Sequence, residues 1–429
     1  MSLLEPIARP VTTFGRLRSD LNATTMVNGL IGFIFAATGP MAIILAVGDQ
    51  GGLDRVTLAS WVFGSFFMNG ILSIISCWLY RTPLAFFWTM PGAVLVGPAL
   101  GHLSFEQVVG AYFACGLLML VLGLSGWVRR AMLAIPMPIV MGMVAGVFLR
   151  FGTNWIVAVR DEILLAGSMT LVFIVLSAMP ALGRRMPPLI GALLTGAMVI
   201  AATGSFDTSS AVSDNRWYGG PTWFMPEFSW QAMFELVVPL AITVLVVQNG
   251  QGAAVLHATG HKTPINYVTS ACGLWSVFAA AVGSVPTCLT GPTNALISSS
   301  GKRESHYAAG IIVGILAMAF GILAPGATSI LLACPPAFIA TIAGLAMIKI
   351  LGAAFSTAFG GRFLNGGLIT FLVTVSGISI FSIGAPFWGL VFGFILSFFL
   401  DPADHKLAAD ERARQSAQAA HSARPARQQ

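Results

Sequence analysis

Charged residues are scarce in this chain: Asp, Glu, Lys and Arg make up 9% of its 429 residues, against about 25% in soluble domains. Hydrophobic residues make up 56%, and the mean hydropathy is +0.84. This composition excludes an ordinary soluble domain and predicts an all-α polytopic membrane protein. No cleavable signal peptide is expected, because the first apolar run begins only after Arg16, Arg18 and Asp20 and many further runs follow.

The chain also lacks the residue patterns of enzymes and metal proteins. It has no phosphate-binding P-loop, no His/Cys cluster with metal-ligand spacing and no converging Ser/His/Asp set. We therefore expect no catalysis, no metal and no cofactor. The net charge of +6 does not indicate nucleic-acid binding, because the placement of basic residues in a membrane protein accounts for it. The five cysteines are predicted to pack in apolar segments rather than to form disulfides: Cys77, Cys115, Cys272, Cys288 and Cys334.

Fourteen apolar stretches are predicted as membrane spans. They are residues 26–47, 58–80, 84–98, 107–126, 131–150, 163–180, 187–203, 231–254, 265–283, 286–299, 305–323, 332–353, 364–379 and 384–400. If both termini are cytoplasmic, 18 of the 22 Lys and Arg lie in cytoplasmic segments, Lys349 among them. The outside loops then hold only Arg55, Arg150, Arg160 and Arg216. This bias predicts that both termini are cytoplasmic.

Two halves of seven spans each are predicted to form an inverted repeat. The expected order is a cytoplasmic N-terminal segment (1–25), the first repeat (26–203), an extracytoplasmic linker loop (204–230), the second repeat (231–400) and a disordered cytoplasmic tail (401–429). Because seven is odd, the second repeat must enter the membrane from the opposite side. A shift of 198 residues superposes distinctive positions of the halves: Glu106 on Glu304, Gly116 on Gly314, Gly123 on Gly321, Pro138 on Pro336 and Gly146 on Gly344.

One stretch in each half is too short and too interrupted for an ordinary membrane helix. These are residues 83–98 and 284–300. Each contains an extended-looking run, then a threonine, then a proline (Pro91 or Pro292) placed to open a half-helix. Paired broken segments are the best sequence indication of a transporter binding site. The alternative is a pair of ordinary helices kinked by proline.

A run of amides occurs within the predicted eighth span: Gln248, Asn249 and Gln251, separated by glycines. Amides inside a membrane are costly unless they form hydrogen bonds, so they bind a substrate or hold helices together. His257 and His261 follow on the cytoplasmic side. They belong either to a proton relay or, as we favour, to an ordinary interfacial loop.

Carboxylates are missing from the middle of every predicted span; Glu235 lies at the start of one. A site for a cation would usually supply a buried carboxylate. Neutral amides, hydroxyls and helix N-termini instead favour an anion or a neutral molecule. The aromatic run Phe86–Trp88 offers a flat apolar surface beside the first half-helix, unless these rings face lipid or the interface.

The runs Val237–Gly252 and Val285–Asn294 resemble those of the bacterial benzoate membrane transporter family, and the resemblance extends over about residues 14–400. Members are regarded as benzoate:proton symporters of the inner membrane. The family is similar in architecture to nucleobase–cation symporters and to sulfate and bicarbonate transporters. The resemblance thus implies fourteen spans in two inverted repeats, a core and a gate domain, and a substrate held between two half-helices.

The resemblance implies import of benzoate or a related aromatic carboxylate with protons by alternating access. Nucleobase symporters carry glutamates where this chain has Gln248 and Pro292, which argues against a nucleobase and leaves proton coupling without an obvious carrier. The expected ring contacts are Phe86 and Trp88. The expected carboxylate contacts are the N–H groups at Gly92, Ala93, Thr293 and Asn294, helped by Thr89, Thr290 and Gln248, with Asn249 and Gln251 in the same motif.

Two alternatives to this function stay open: transport of another small anion or a neutral nucleobase, and a channel-like facilitator. The expected partners are the aromatic carboxylate, protons and the lipid bilayer. Because related folds are often dimers, a homodimer is also considered.

Overall fold

A computed structural model describes residues 4–7, 12–128, 135–179, 186–207, 217–381 and 383–411, and these are mostly helical. Seven of the described helices are long and apolar enough to cross a membrane. An eighth span results if two helices joined at a 93° bend, Ala385–Leu400 and Pro402–Glu411, are counted as one. The chain is therefore a multi-span membrane protein. The number of fourteen crossings stays a prediction.

The described elements, in chain order, are α1 (Phe14–Asp20), α2 (Ala23–Gln50), α3 (Arg55–Tyr80), β1 (Phe86–Trp88), α4 (Met90–Ala99), α5 (Phe105–Ser125), α6 (Met137–Asp161), α7 (Ile163–Ala178), α8 (Pro188–Thr203), α9 (Trp230–Ala258), α10 (Ile265–Ala280), β2 (Thr287–Leu289), α11 (Gly291–Ile297), α12 (Arg303–Ile322), α13 (Ala324–Leu332), α14 (Pro336–Phe359), α15 (Leu364–Ser376), α16 (Ala385–Leu400) and α17 (Pro402–Glu411). Several differ from the sequence-based expectation. α13 was not expected, and α6 and α14 end well beyond the predicted limits of residues 150 and 353. The tail was expected to be disordered from residue 401, but residues 402–411 are helical. The rest of the tail and residues 208–216 of the linker loop lie outside the described residues.

The two broken segments contain the predicted extended runs and half-helices. β1 pairs antiparallel with β2, so that Phe86 lies opposite Leu289 and Trp88 opposite Thr287. α4 and α11 follow directly, each with a proline at its second position (Pro91 and Pro292). Antiparallel pairing of corresponding segments is the arrangement expected of two halves with opposite orientation.

Side chains of neighbouring helices accept hydrogen bonds from the backbone N–H groups at the outer edges of this two-stranded sheet. The hydroxyl of Ser73 accepts from the Phe86 N–H at 2.8 Å, and that of Ser276 accepts from the Thr287 N–H at 2.9 Å. The Asn249 amide oxygen accepts from the Leu289 N–H at 2.8 Å. Because no water reaches the interior of a bilayer, an open sheet edge is stable there only when the protein supplies such partners.

Two groups of helices pack mainly within themselves. α2–α5 and α9–α12 surround the small sheet, with α5 against α10 and α3 against α12. α6–α8 and α14–α16 form the second group, built on the contact between α6 and α14. We call them the core group and the gate group.

Close helix contacts occur at glycines related by the shift of 198 residues. A Cβ at Gly116 of α5 would lie 2.9 Å from the carbonyl oxygen of Gly273 in α10. A Cβ at Gly314 of α12 would lie 2.7 Å from the carbonyl oxygen of Gly70 in α3. Equivalent glycines therefore form equivalent contacts in the two halves, which supports the internal repeat.

Replacing Gly116 by Ala is expected to destabilise the protein by about 1–3 kcal/mol, because the added methyl group must displace backbone at the α5–α10 contact. Gly352→Ala in α14 is the matched control, since a Cβ there meets nothing within 4 Å. That control is expected to be neutral, or stabilising by up to about 1 kcal/mol through helix propensity. Thermal melting of both purified variants in detergent measures the difference. Equal melting temperatures would contradict the close contact.

Candidate functional site

A cavity of about 590 Å³ lies between the core and gate groups, where the two half-helices begin. We call it the half-helix cavity. Pro91 and Pro292 lie on its wall, with Gln248 and Gln251 from α9 and Lys349 from α14. Among the described lining residues, Lys349 is the only charged one. The cavity can therefore accept a small molecule whose polar end is anionic.

Gln248 is the predicted site residue that combines an unsatisfied polar group with a place on the cavity wall. Its side chain is buried, and the amide oxygen has no hydrogen-bond partner among the described residues. It lies in a π-helical stretch of α9, Thr243–Asn249, a geometry that often occurs at functional sites. Leaving a buried polar atom unpaired is costly, so its position on a cavity wall indicates a ligand contact.

The other two amides of the motif have different surroundings. Gln251 lines the half-helix cavity and packs against the start of α11, where a Cβ at Gly291 would lie 2.5 Å from its Cγ. Asn249 is fully buried behind the cavity, and its amide oxygen accepts a hydrogen bond from the Leu289 N–H of β2. Asn249 therefore holds the sheet, and the structure does not place it on the cavity wall.

Asn294 also acts within the protein rather than at the cavity. Its amide oxygen accepts from the Ala85 N–H at 3.0 Å, and its amide nitrogen donates to the carbonyl oxygens of Ala85 (3.0 Å) and Thr290 (2.7 Å). These bonds join the second half-helix to the first broken segment. The expectation that the Asn294 N–H meets a substrate is not supported either, because that group donates to Thr290 at 3.3 Å.

The N–H groups of the first half-helix are likewise occupied. Thr89 caps α4: its hydroxyl accepts from the Gly92 N–H at 3.2 Å, and its carbonyl oxygen accepts from the Ala93 N–H at 2.8 Å. The Thr89 hydroxyl itself donates to Thr243. The predicted contacts of a carboxylate with Gly92 and Ala93 therefore lack free donors. The half-helix start reaches the cavity through Met90 and Pro91.

Thr290 and Thr293 are buried at the start of α11 and do not line the half-helix cavity. The Thr290 N–H donates to the carbonyl oxygen of Ala85 at 3.3 Å. The methyl group of Thr293 points toward α2, where a Cβ at Gly32 would lie 3.5 Å away. Both threonines thus contribute to packing around the half-helix.

Phe86 and Trp88 are buried in the core group and do not border the half-helix cavity. Trp88 packs on Phe66, with ring centroids 4.9 Å apart. The expectation that they contact the ring of a substrate is therefore not supported by their positions. The apolar surface of the cavity comes instead from Phe35 and from three methionines, Met90, Met137 and Met141.

Lys349 is the cavity residue that the sequence analysis missed. It was counted with the cytoplasmic residues because it lies near the end of the predicted twelfth span, residues 332–353, whereas α14 continues ten residues beyond it to Phe359. The signal was present: Lys349 stands alone in a long apolar run, and an ionisable residue within a span is by default a candidate for function. It forms no salt bridge with the described residues.

His261 lies in the loop after α9 and pairs with His306, with 3.0 Å between Nε2 of His261 and Nδ1 of His306. Burial, with smaller effects from His306 and Arg303, lowers the pKa of His261 from 6.5 to about 4. The ring is therefore neutral at neutral pH. Neither His261 nor His257 lines the half-helix cavity, which favours the ordinary loop over a proton relay at the substrate.

The lowered pKa of His261 predicts that stability decreases as pH falls from about 6.5 to about 4. In that window the unfolded chain binds a proton at this histidine and the folded protein does not, so protonation favours unfolding. His261→Gln should flatten this part of the pH dependence of the melting temperature. His257→Gln is the control, because His257 is exposed near the end of α9, and it should leave the pH dependence of the melting temperature unchanged. An unaltered slope in the His261 variant would contradict the assignment.

Comparison with known proteins gives consistent matches over most of the chain. The family model described as "Benzoate membrane transport protein" matches residues 19–399. The inner membrane protein YdcO of Escherichia coli (strain K12) is 26% identical over 373 residues, which are 86% of this chain and 94% of that protein. The benzoate membrane transport protein of Acinetobacter baylyi is 25% identical over 396 residues, which are 91% and 98% of the two chains.

Two solved structures with a similar fold are described as a bicarbonate transporter and an anion transporter. The transmembrane domain of a cyanobacterial bicarbonate transporter, BicA, matches with a TM-score of 0.57 at 14% identity, over 87% of this chain and 98% of that one. The murine anion transporter Slc26a9 in its inward-facing state gives 0.56 at 12% identity, over 87% and 68%. These likenesses support the expected architecture of bicarbonate transporters. They give no support to the expected comparison with nucleobase–cation symporters.

Proposed function

This chain belongs to the benzoate membrane transport protein family, and we propose that it imports benzoate or a related aromatic carboxylate together with protons by alternating access. The observation that carries the proposal is the half-helix cavity, which combines one cation, an unpaired amide and an apolar wall. A relative that aligns along nearly its whole length is described as a benzoate membrane transport protein.

The polar side of the cavity suits a carboxylate. Lys349 supplies a positive charge, and no acidic residue is present among the described lining residues. An ammonium group in an apolar cavity forms strong charge-assisted hydrogen bonds with a carboxylate. The Gln248 side chain can donate to a carboxylate only through its amide N–H groups, whereas its unpaired oxygen is an acceptor and would receive a hydrogen bond from a donor such as a protonated carboxyl group. The substrate carboxylate is thus held by side chains of α9 and α14, rather than by the N–H groups of Gly92, Ala93 and Asn294.

The apolar side suits a flat ring. Phe35 and the methionines Met90, Met137 and Met141 line the half-helix cavity. Methionine sulfur forms favourable contacts with aromatic rings, and its flexible side chain adapts to ligands of slightly different shape. We propose that these residues, in place of Phe86 and Trp88, contact the ring.

The arrangement of the cavity between two helix groups supports alternating access. Gln248 and the half-helix prolines belong to the core group, whereas Lys349 belongs to the gate group. A relative movement of the groups would therefore separate Lys349 from Gln248 and change access to the substrate. A second cavity, of about 550 Å³, lies between the same groups at their other end.

We also propose that the protein lies in the inner membrane with both termini in the cytoplasm. Arg150 and Lys349, which were counted in loops, lie inside α6 and α14. Removing both from the count leaves the excess of cytoplasmic Lys and Arg intact. A homodimer is a further proposal that the fold alone does not test.

Uptake of labelled benzoate into liposomes that contain the purified protein tests the proposed function. An inward proton gradient should drive accumulation, and a protonophore should abolish it. Empty liposomes are the necessary control, because neutral benzoic acid crosses lipid unaided. If protein-dependent uptake occurs without a response to the proton gradient, proton symport fails while carboxylate transport stands. If only other anions or nucleobases are taken up, the aromatic substrate is wrong.

A further inference from the structure

The second cavity contains a basic residue that the proposed function does not use. It lies between the end of α2, the start of α9 and the gate helices α6, α15 and α16. Arg150 of α6 lines it, together with Gln50, His102 and Glu235. Gln50 ends α2 and Glu235 lies near the start of α9, at the helix ends remote from the chain termini, so the cavity faces the opposite side of the protein from the half-helix cavity. We call the two sides the termini face and the opposite face.

Arg150 and Lys349 lie at neighbouring positions when the two halves are aligned. The shift of 198 residues superposes Pro138 on Pro336 and Gly146 on Gly344 in the same pair of helices, and it places Arg150 on Ile348, one residue before Lys349. α6 and α14 pack directly against each other. Both basic residues lie within their helices: α6 continues to Asp161 and α14 to Phe359. An inverted repeat turns equivalent positions toward opposite faces, and the two cavities show this arrangement.

Arg150 has a guanidinium that is free to bind an anion. It is exposed to the cavity and forms no salt bridge with the described residues. A guanidinium presents two parallel N–H donors that match the two oxygens of a carboxylate. Keeping an unpaired charge within a membrane-spanning helix is costly, which indicates a function at this position.

The acid in the same cavity does not neutralise Arg150. The Glu235 side chain is only 4% exposed, and its Oε2 lies 2.9 Å from Nε2 of His102. Its other oxygen lies against the gate group, since a Cβ at Gly384 would come 2.5 Å from Oε1. Glu235 is therefore held by His102 and the start of α16. Three other acids near this mouth do not line the cavity: Glu106 and Glu227, on α5 and its neighbouring loop, and Asp49, which borders an adjacent cavity.

We propose that Arg150 forms a carboxylate-binding subsite on the opposite face, as the counterpart of Lys349 on the termini face. The transported anion would first pair with Arg150, then pass to the half-helix cavity and leave past Lys349. The two gate helices α6 and α14 thus contribute one cation each, to opposite faces. No bond is made or broken, because the anion exchanges one charge-assisted pairing for another. This inference rests on the proposed transport of a carboxylate and adds which residue receives it on each side.

The sidedness of the Arg150 effect is the test. Benzoate uptake is measured in intact cells, which present one face, and in everted vesicles, which present the other; protease cleavage of a C-terminal tag identifies the termini face. Arg150→Gln is expected to raise KM about tenfold from the opposite face and to change it less than twofold from the termini face. Lys349→Gln is expected to raise KM from both faces, because Lys349 also holds the carboxylate in the half-helix cavity through which substrate from either face passes. Arg150→Lys should keep most of the affinity, because the charge remains.

Arg160→Gln is the control on the same helix. Arg160 is exposed and pairs with Asp161 outside the cavity, so its loss should leave KM unchanged on both faces. Melting temperatures of all variants verify that they fold. An Arg150 variant with normal KM from the opposite face, or with equal effects from both faces, would overturn the subsite while benzoate transport by the wild type still supports the proposed function. Absence of wild-type transport would overturn both.

Discussion

Replacing Lys349 by Gln is expected to raise KM for benzoate about 10- to 100-fold. The estimate follows from the 1.5–3 kcal/mol typical of a hydrogen bond to a charged group, at about 1.4 kcal/mol per tenfold change. The large effect is expected because Lys349 is the only charged residue among the described residues of the half-helix cavity. No neighbouring cation can replace it there. Uptake kinetics of the purified protein in liposomes measure the change.

Two further variants separate the charge of Lys349 from general effects of removing a lysine. Lys349→Arg keeps a cation in the cavity and should retain much of the affinity. Lys302→Gln removes an exposed lysine before α12, outside the cavity, and should have no effect. If Lys349→Gln leaves KM unchanged, the carboxylate does not bind at this lysine, and the polar side of the site must be sought elsewhere.

The features of the fold that depend on local chemistry could be predicted from the sequence. Pro91 and Pro292 each lack an N–H and restrict the preceding residue, so an extended run followed by a half-helix is expected wherever the chain lies. The structure has both, at β1–α4 and β2–α11. The internal repeat could also be predicted from the sequence, because close helix packing requires glycines at equivalent positions of the two halves, such as Gly116 and Gly314.

The roles of individual site residues depend on contacts between distant parts of the chain, which the sequence does not display. Asn294 looked like a ligand because an amide at a half-helix is costly without a partner, but its partner is the backbone of Ala85 in the other half. The amide oxygen of Asn249 likewise accepts a hydrogen bond from the backbone N–H of Leu289. Lys349 was missed for a different reason: it was counted with the cytoplasmic charges although it lies inside the predicted span 332–353, and α14 extends well past it to Phe359.

Gln248 and Asn249 are adjacent amides with opposite expected roles, and replacing each by Ala distinguishes them. Gln248→Ala is expected to reduce benzoate transport about tenfold while leaving the melting temperature close to that of the wild type, since the lost amide oxygen has no described partner within the protein. Asn249→Ala is expected to lower the free energy of unfolding by about 1–3 kcal/mol, because it leaves the buried Leu289 N–H without an acceptor.

The comparison tests the site because the two residues share one helix, one motif and nearly the same depth in the protein. A defect in the helix itself would affect both variants alike, in transport and in stability.

Asn294→Ala extends the test to the second half-helix: it removes the bonds to Ala85 and Thr290 and should behave like Asn249→Ala, with transport lost together with stability. Normal transport in Gln248→Ala would remove that residue from the substrate site. If Asn294→Ala loses transport at an unchanged melting temperature, Asn294 contacts the substrate directly. That result would contradict the structural role inferred from its hydrogen bonds to the backbone of Ala85 and Thr290.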